Sequence, residues 1–278
     1  MVLGTFSEIK DLPGDSMSGM SDIPASFSRA ALDELYCRFN RREFIHPDPL
    51  EFVHNYEDPL DREVVGIIAS SLAYGRVNQI LKSVSKVLAL MGPSPSAFLL
   101  ENSPRRLHGT FEDFKHRFTT GDEIASLLVN TKKILKECGS LQGCFLRGLG
   151  NKDCNILPAL AAFVERLNGG TPRDGSMLLP SPLKGSACKR LNLFLRWMVR
   201  HDKVDPGVWK EVEPSALIVP LDTHMHRISR RMGLTTRKQA DIRTALEITR
   251  AFGTLNLEDP VRYDFALTRP GIRSNNGH

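Results

Sequence analysis

The sequence predicts an all-α protein, and two observations carry that expectation. From Ser28 onward, apolar residues recur at intervals of three and four, and long runs of strict alternation are missing. The periodic segments are also bracketed by helix punctuation, with Ser, Asp or Pro at their starts and Gly or Asn at their ends.

In chain order, "FSRAALDELYCRFNRR" opens on Ser28 as an N-cap. "DPLDREVVGIIASSLAYG" places Pro59 in a first turn and runs to Gly75, with Ile67, Ile68, Ser71 and Leu72 as a buried stripe. "RVNQILKSVSKVLALMG" follows at once and stops at Gly92. Further helices are expected over 121–138, 141–149 and 154–168, each closed by glycine or asparagine. The stretch "GGTPRDGSMLLPSPLKG", residues 169–185, is rich in glycine and proline and forms the strongest internal break. It reads as a lobe boundary or a site loop rather than a domain linker. Beyond it, "SACKRLNLFLRWMVRH" is an amphipathic helix, "DKVDPGVWKEVEPSALIVP" a connecting loop, and three more helices finish the chain. The expected organisation is a flexible tail over 1–25, without periodicity and with Met17 and Met20 as alternative starts. One all-helical domain in two lobes follows over 26–278.

Composition excludes several classes. A 41% hydrophobic content over 278 residues is enough for one large core, so a fibrous or wholly disordered chain is ruled out. The N-terminus lacks a basic start followed by an apolar run, and no stretch approaches the ~20 apolar residues of a membrane helix. Neither secretion nor membrane association is expected. The five cysteines, Cys37, Cys138, Cys144, Cys154 and Cys188, are odd in number and scattered. They read as reduced thiols of a cytoplasmic protein rather than a disulfide framework or a metal clip.

The net charge of +5 is unevenly spread. Residues 1–63 carry 6 basic and 13 acidic side chains, whereas residues 184–250 carry 14 basic and 7 acidic. That basic excess suits a phosphate backbone, and a solvated surface without a partner explains it equally well.

At its centre stands "IVPLDTHMHRISRRMGL", residues 218–234, which admits three readings. Asp222 follows a proline and precedes a run with Met225, Ile228 and Met232 on one helical face, so it is a natural N-cap. Asp222, His224 and His226 alternate as metal ligands would on a strand. On a helix, however, residues two apart point about 200° apart. The third reading makes Asp222 half of a catalytic pair with Lys189, which opens the helix after Gly185 and Ser186. A lysine amine in a partly dry pocket is a nucleophile, and a carboxylate beside it can take its proton and support positive charge on a sugar ring.

The segment "LIVPLDTHMHRISRRMGL" resembles the Val-Asp-Thr-His signature of the helix-hairpin-helix base-excision DNA glycosylases. "DREVVGIIASSLAYGRVNQILKSVSKVL" is similar to their early helix pair, "LLPSPLKGSACKRLNLFL" to their hairpin and lysine, and "PVRYDFALTRPGI" to their closing helix. More closely, the chain from about Ser28 resembles the bacterial family DUF2400 through "LDTH" and "YDFAL", and that family names no reaction. The resemblance implies a two-lobed helical domain of the glycosylase type. It makes Lys189 the nucleophile and Asp222 the catalytic aspartate that supports charge and proton transfer, with damaged double-stranded DNA as partner, an AP-lyase activity and a nucleoid-associated location. Arg76 and Asn78 would enter the DNA, and Gly185, Ser186, His224, Arg227 and Arg230 would contact it, with Lys184 as a further contact or an alternative nucleophile. An oxidised purine is suggested only by the 33-residue interval from Lys189 to Asp222. Only one glycine, Gly185, precedes the lysine where the family has Gly-x-Gly.

No four-cysteine cluster follows the last helix, so neither an iron–sulfur group nor any other cofactor or metal is expected on this reading. Tyr74 and Trp197 are candidates for base stacking or for core, Arg231 for phosphate, and Asp264 for a cap or a bridge to arginine. The alternatives are a nucleic-acid-binding protein of the same fold without chemistry, and a metal-dependent hydrolase built on Asp222, His224 and His226. Oligomeric state is not legible.

Overall fold

The computed structural model describes residues 28–150, 155–170 and 178–274, with side chains to Pro270. The expected tail, Cys154 and residues 171–177 of the glycine- and proline-rich loop lie outside the described residues. Twelve α-helices account for most of these residues: α1 (Arg29–Phe39), α2 (Pro59–Ser71), α3 (Val77–Met91), α4 (Pro95–Glu101), α5 (Pro104–Phe111), α6 (Gly121–Cys138), α7 (Leu141–Leu146), α8 (Leu157–Leu167), α9 (Lys189–Val199), α10 (Thr223–Arg231), α11 (Ile242–Gly253) and α12 (Asp264–Ser274). Two two-residue strands, β1 (Lys115–His116) and β2 (Thr119–Thr120), form the only sheet among the described residues. The chain is therefore mostly helical, as the periodicity predicts. No described helix is long and apolar enough to cross a membrane.

Local chemistry sets most boundaries. Ser28 caps α1, Asp58 caps α2 with Pro59 in its first turn, and Thr120 and Glu123 form a reciprocal capping box on α6. Three expected ends move inward. The second helix stops at Ser71 rather than Gly75, because Leu72, Ala73 and Tyr74 already turn the chain toward α3. The helix after Ser140 closes at Leu146 rather than 149, and α8 begins at Leu157, beside Pro158, rather than at 154.

Helix α2 is the hub. Every residue from Glu63 to Ser71 is buried, more than the four-residue stripe expected, because the 3-10 turn Pro49–Asn55, α3, α4 and α9 cover it on several sides. Gly66 permits the closest of these approaches: a Cβ there would come within 2.9 Å of Met198 and 3.2 Å of Phe194, both on α9. Helices α4, α5, α7 and α8 gather round α6, while α1 and α10 pack on α12. The buried apolar residues form one continuous cluster from Leu32 to Leu267, so the two groups of helices share a core.

Candidate active site

A cavity of about 680 Å³ opens where the α2–α3 turn, α3, α9, α10 and α12 converge, with Ala73, Tyr74, Lys189, Arg190, Asp222 and His224 among its lining. Its size lies in the ~300–1,000 Å³ range of small-ligand sites. Lys189 is the first residue of α9. Its Nζ donates to the Ala73 carbonyl at 3.4 Å and stands 3.9 Å from Oδ2 of Asp222, with the two side chains 28% and 39% exposed. Arg190 donates to the Ser71 carbonyl at 3.0 Å and lies over the Tyr74 ring. Both cations thus meet the end of α2, where helix carbonyls lack intrahelical partners.

Asp222 does two things at once. One carboxylate oxygen accepts the Met225 amide at 2.8 Å and caps α10, and the other faces Lys189. The cap and the paired acid, alternatives on sequence spacing, are compatible because a carboxylate has two oxygens.

The 33-residue interval closes through a loop pinned at several points. Gly207 and Trp209 donate their amides to the carbonyls of Trp197 and Met198, the indole of Trp209 packs among Phe145, Phe163 and Phe194, and Val219 donates to Thr249. The loop then delivers buried Leu217, Ile218 and Val219 to the start of α10.

The histidines of the "DTHMH" run diverge. His226 is buried and donates from Nε2 to the Arg237 carbonyl, while Nδ1 of His224 accepts from Arg227 at 3.1 Å. Burial holds His224 below the usual histidine range, an effect that Arg227 reinforces and Asp222 opposes. Among the described residues, no group of three or more His, Cys, Asp or Glu is placed to hold a metal ion. His224 borders the cavity, whereas Arg227, Arg230 and Arg231 lie exposed on α10.

The remaining sequence candidates separate in space. Lys184 is exposed and lies off the cavity wall; the structure brings Lys189 to Asp222. Gly185, with φ +86, accepts the Ile242 amide through its carbonyl, and Ser186 bridges to Asp241, so this turn docks on the start of α11. Arg76 and Asn78 are exposed beside Gly75 and Val77, which do line the cavity. Trp197 is fully buried and belongs to the core, whereas Tyr74 lines the cavity with its hydroxyl committed to the β1–β2 hairpin.

Two further features line the cavity. The cavity floor is ionic: Arg196 is bonded to Asp264 and, at 3.1 Å, to Asp205, while Arg269 reaches Asp48 at 2.7 Å. Burial raises the Asp264 carboxyl, and Arg196 pulls the other way. The bridge from "YDFAL" to an arginine is thus present, and its arginine is Arg196. The second feature is Phe118, at the tip of the β1–β2 hairpin and on the cavity wall. An Arg-Phe dipeptide between two short polar pairs gave no periodic signal.

A family model covers the segment from the 3-10 turn at Pro49 to the end of α12, Lys189 and Asp222 included, by matching residues 48–273. The chain belongs to the family described as "Protein of unknown function (DUF2400)". No curated protein and no solved structure matches it. The "LDTH" and "YDFAL" segments lie within the matched residues and fall on the cap of α10 and the start of α12, two of the elements that meet at the cavity.

Proposed function

We propose that the protein is a DNA base-excision enzyme that takes a nucleotide turned out of a damaged duplex into the cavity and cleaves its N-glycosidic bond. The observation that carries this reading is the Lys189–Asp222 pair, 3.9 Å apart at a cavity of nucleotide-accommodating size. Asp222 takes a proton from the Lys189 ammonium, and the free amine attacks C1′. The C1′–N bond breaks with its electron pair going to the base, which leaves with the proton that Asp222 carries. The C1′–O4′ bond then opens as a proton passes from the attached nitrogen through Asp222 to O4′, giving a protonated Schiff base. A C2′ proton passes to water and the C3′–O3′ bond breaks with its electron pair going to the 3′ phosphate, the AP-lyase step, and water hydrolyses the imine to free Lys189. The resemblance to helix-hairpin-helix glycosylases and the exposed arginines of α10 support DNA as the partner.

A nucleic-acid-binding protein without chemistry is the second reading. It is favoured by the Lys189 amine already donating to the Ala73 carbonyl, an arrangement that also suits a fixed cation beside a phosphate.

Borohydride trapping on duplexes carrying an abasic site or 8-oxoguanine decides between them. A covalent adduct that disappears in Lys189→Gln supports the lysine nucleophile. Base release without an adduct replaces it with an Asp222-activated water. Salt-sensitive binding with neither leaves the binding protein.

A further inference from the structure

We infer that Phe118 fills the gap in the base stack when a nucleotide is drawn into the cavity, with Arg117 holding the backbone beside it; this rests on the base-excision reading above. Phe118 is 64% exposed and also lines the cavity, so its ring is open to solvent and borders the pocket at once.

Its position is fixed. The pairing of Lys115 with Thr120 and of His116 with Thr119 leaves Arg117 and Phe118 as a two-residue turn. The Tyr74 hydroxyl donates to the His116 carbonyl at 2.8 Å and accepts the Thr119 amide at 3.2 Å, gripping both strands. Nε2 of His116 donates to the Tyr74 carbonyl at 3.1 Å, and Ser83 on α3 donates to Nδ1 at 2.8 Å. Arg117 adopts φ +52, a conformation that persists in an L-residue only where its surroundings impose it. An aromatic ring on a mobile loop would be an ordinary surface residue. This one is presented by a turn held from three sides.

The neighbours suit a nucleic-acid backbone. Lys115, Arg117 and Arg76 are exposed around the tip. The Arg117 side chain lies against Gly75: a Cβ there would come within 2.7 Å of Nη1 and 2.8 Å of Cδ. Gly75, at φ +96, therefore joins the hairpin and the α2–α3 turn into one surface carrying cations and an aromatic face. Nucleotide extrusion leaves an unstacked step, which an apolar side chain can occupy without reading sequence.

The test uses the full-length protein and duplexes with or without a central tetrahydrofuran abasic analogue. Trp197 and Trp209 are 0% and 2% exposed, so added emission in Phe118→Trp reports on the tip. Quenching on the analogue duplex is expected, together with an approximately tenfold loss of preference for that duplex in Phe118→Ala and recovery in Phe118→Tyr. Unchanged Phe118→Trp emission at saturation, or undiminished preference in Phe118→Ala, overturns the assignment. Borohydride adducts in the wild type alongside either result sink Phe118 alone. Quenching without adducts or base release sinks the chemistry and leaves Phe118 in place. Failure of the wild type to bind any duplex sinks both.

Discussion

The indole N–H of Trp209 donates to Oε1 of Glu63 across 2.6 Å, tying the loop that leads to Asp222 onto the central helix. Glu63 also accepts the amides of Leu141 and Gln142, the first two residues of α7, at 2.7 and 2.9 Å. One buried carboxylate thus joins α2, α7 and the loop that leads to the cavity. Trp209→Phe keeps the aromatic packing and removes one of the three donors. The expected cost is about 1–3 kcal/mol in urea unfolding, with a larger loss in Glu63→Ala, which strands all three donors. Both variants should also lower adduct yield, although neither residue borders the cavity.

The two roles of Asp222 can be separated. Asparagine caps helices about as well as aspartate but cannot accept a proton at neutral pH. Asp222→Asn should therefore unfold within a few tenths of a kcal/mol of wild type while base release falls by roughly 10²–10⁴-fold. Asp222→Ala should show the same loss of activity and cost about 1 kcal/mol of stability for the missing cap. Equal activity in wild type and Asp222→Asn would remove the residue from the chemistry.

The contrast between Asp222 and Phe118 shows what the sequence makes legible. The cap of α10 is local: an acid after a proline, then an apolar face, is enough to find it. The same holds for α4 and α5, which lay unassigned although Ser94-Pro95 and Ser103-Pro104 are N-cap and first-turn signals. Contact between Lys189 and Asp222 is different, because it depends on Trp209 finding Phe145, Phe163 and Phe194 on three separate helices. The hairpin that carries Phe118 is invisible for a third reason. Strands of two residues have no period to detect, and their turn uses an arginine where glycine would be the expected marker.

Three half-buried or buried histidines give the fold a pH dependence of defined sign. Burial lowers His54, which donates to the Val204 carbonyl, His116 in the hairpin, and His224 at the cavity below the ordinary value of 6.5. The unfolded chain therefore binds protons first. Stability is fully present above about pH 6.5 and is lost as pH falls below it. Buried Asp205, pushed up to about 6, acts in the opposite sense below that pH, and Asp264 and Glu63 are raised in the same direction. Across the window from pH 7.5 to 6 Asp205 opposes the histidines only toward the lower end, and a His116 replacement, which leaves Asp205 in place, separates the two effects. Thermal midpoints should drop across it, and His116→Gln should flatten the slope. A flat wild-type profile there would mean that the three rings are solvated in solution.

Arg196 and Asp264 make the cavity floor, and their pairing predicts an asymmetry between single and double replacement. Both are almost fully buried, and Arg196 also bonds Asp205, which shares its other oxygen with Arg200. Asp264→Ala leaves a buried guanidinium short of one counter-charge, and breaking such a pair from one side costs about 3–5 kcal/mol. Replacing both partners with apolar side chains, Arg196→Met with Asp264→Leu, removes the uncompensated charge and should recover a large part of that loss, because Asp205 keeps Arg200. Asp264→Asn, which retains an acceptor for Arg196, should fall between wild type and Asp264→Ala. Urea unfolding of the four proteins measures the order directly. If Asp264→Ala is as stable as wild type, the ion pair does not hold the floor, and Asp264 is then a candidate for direct contact with the substrate.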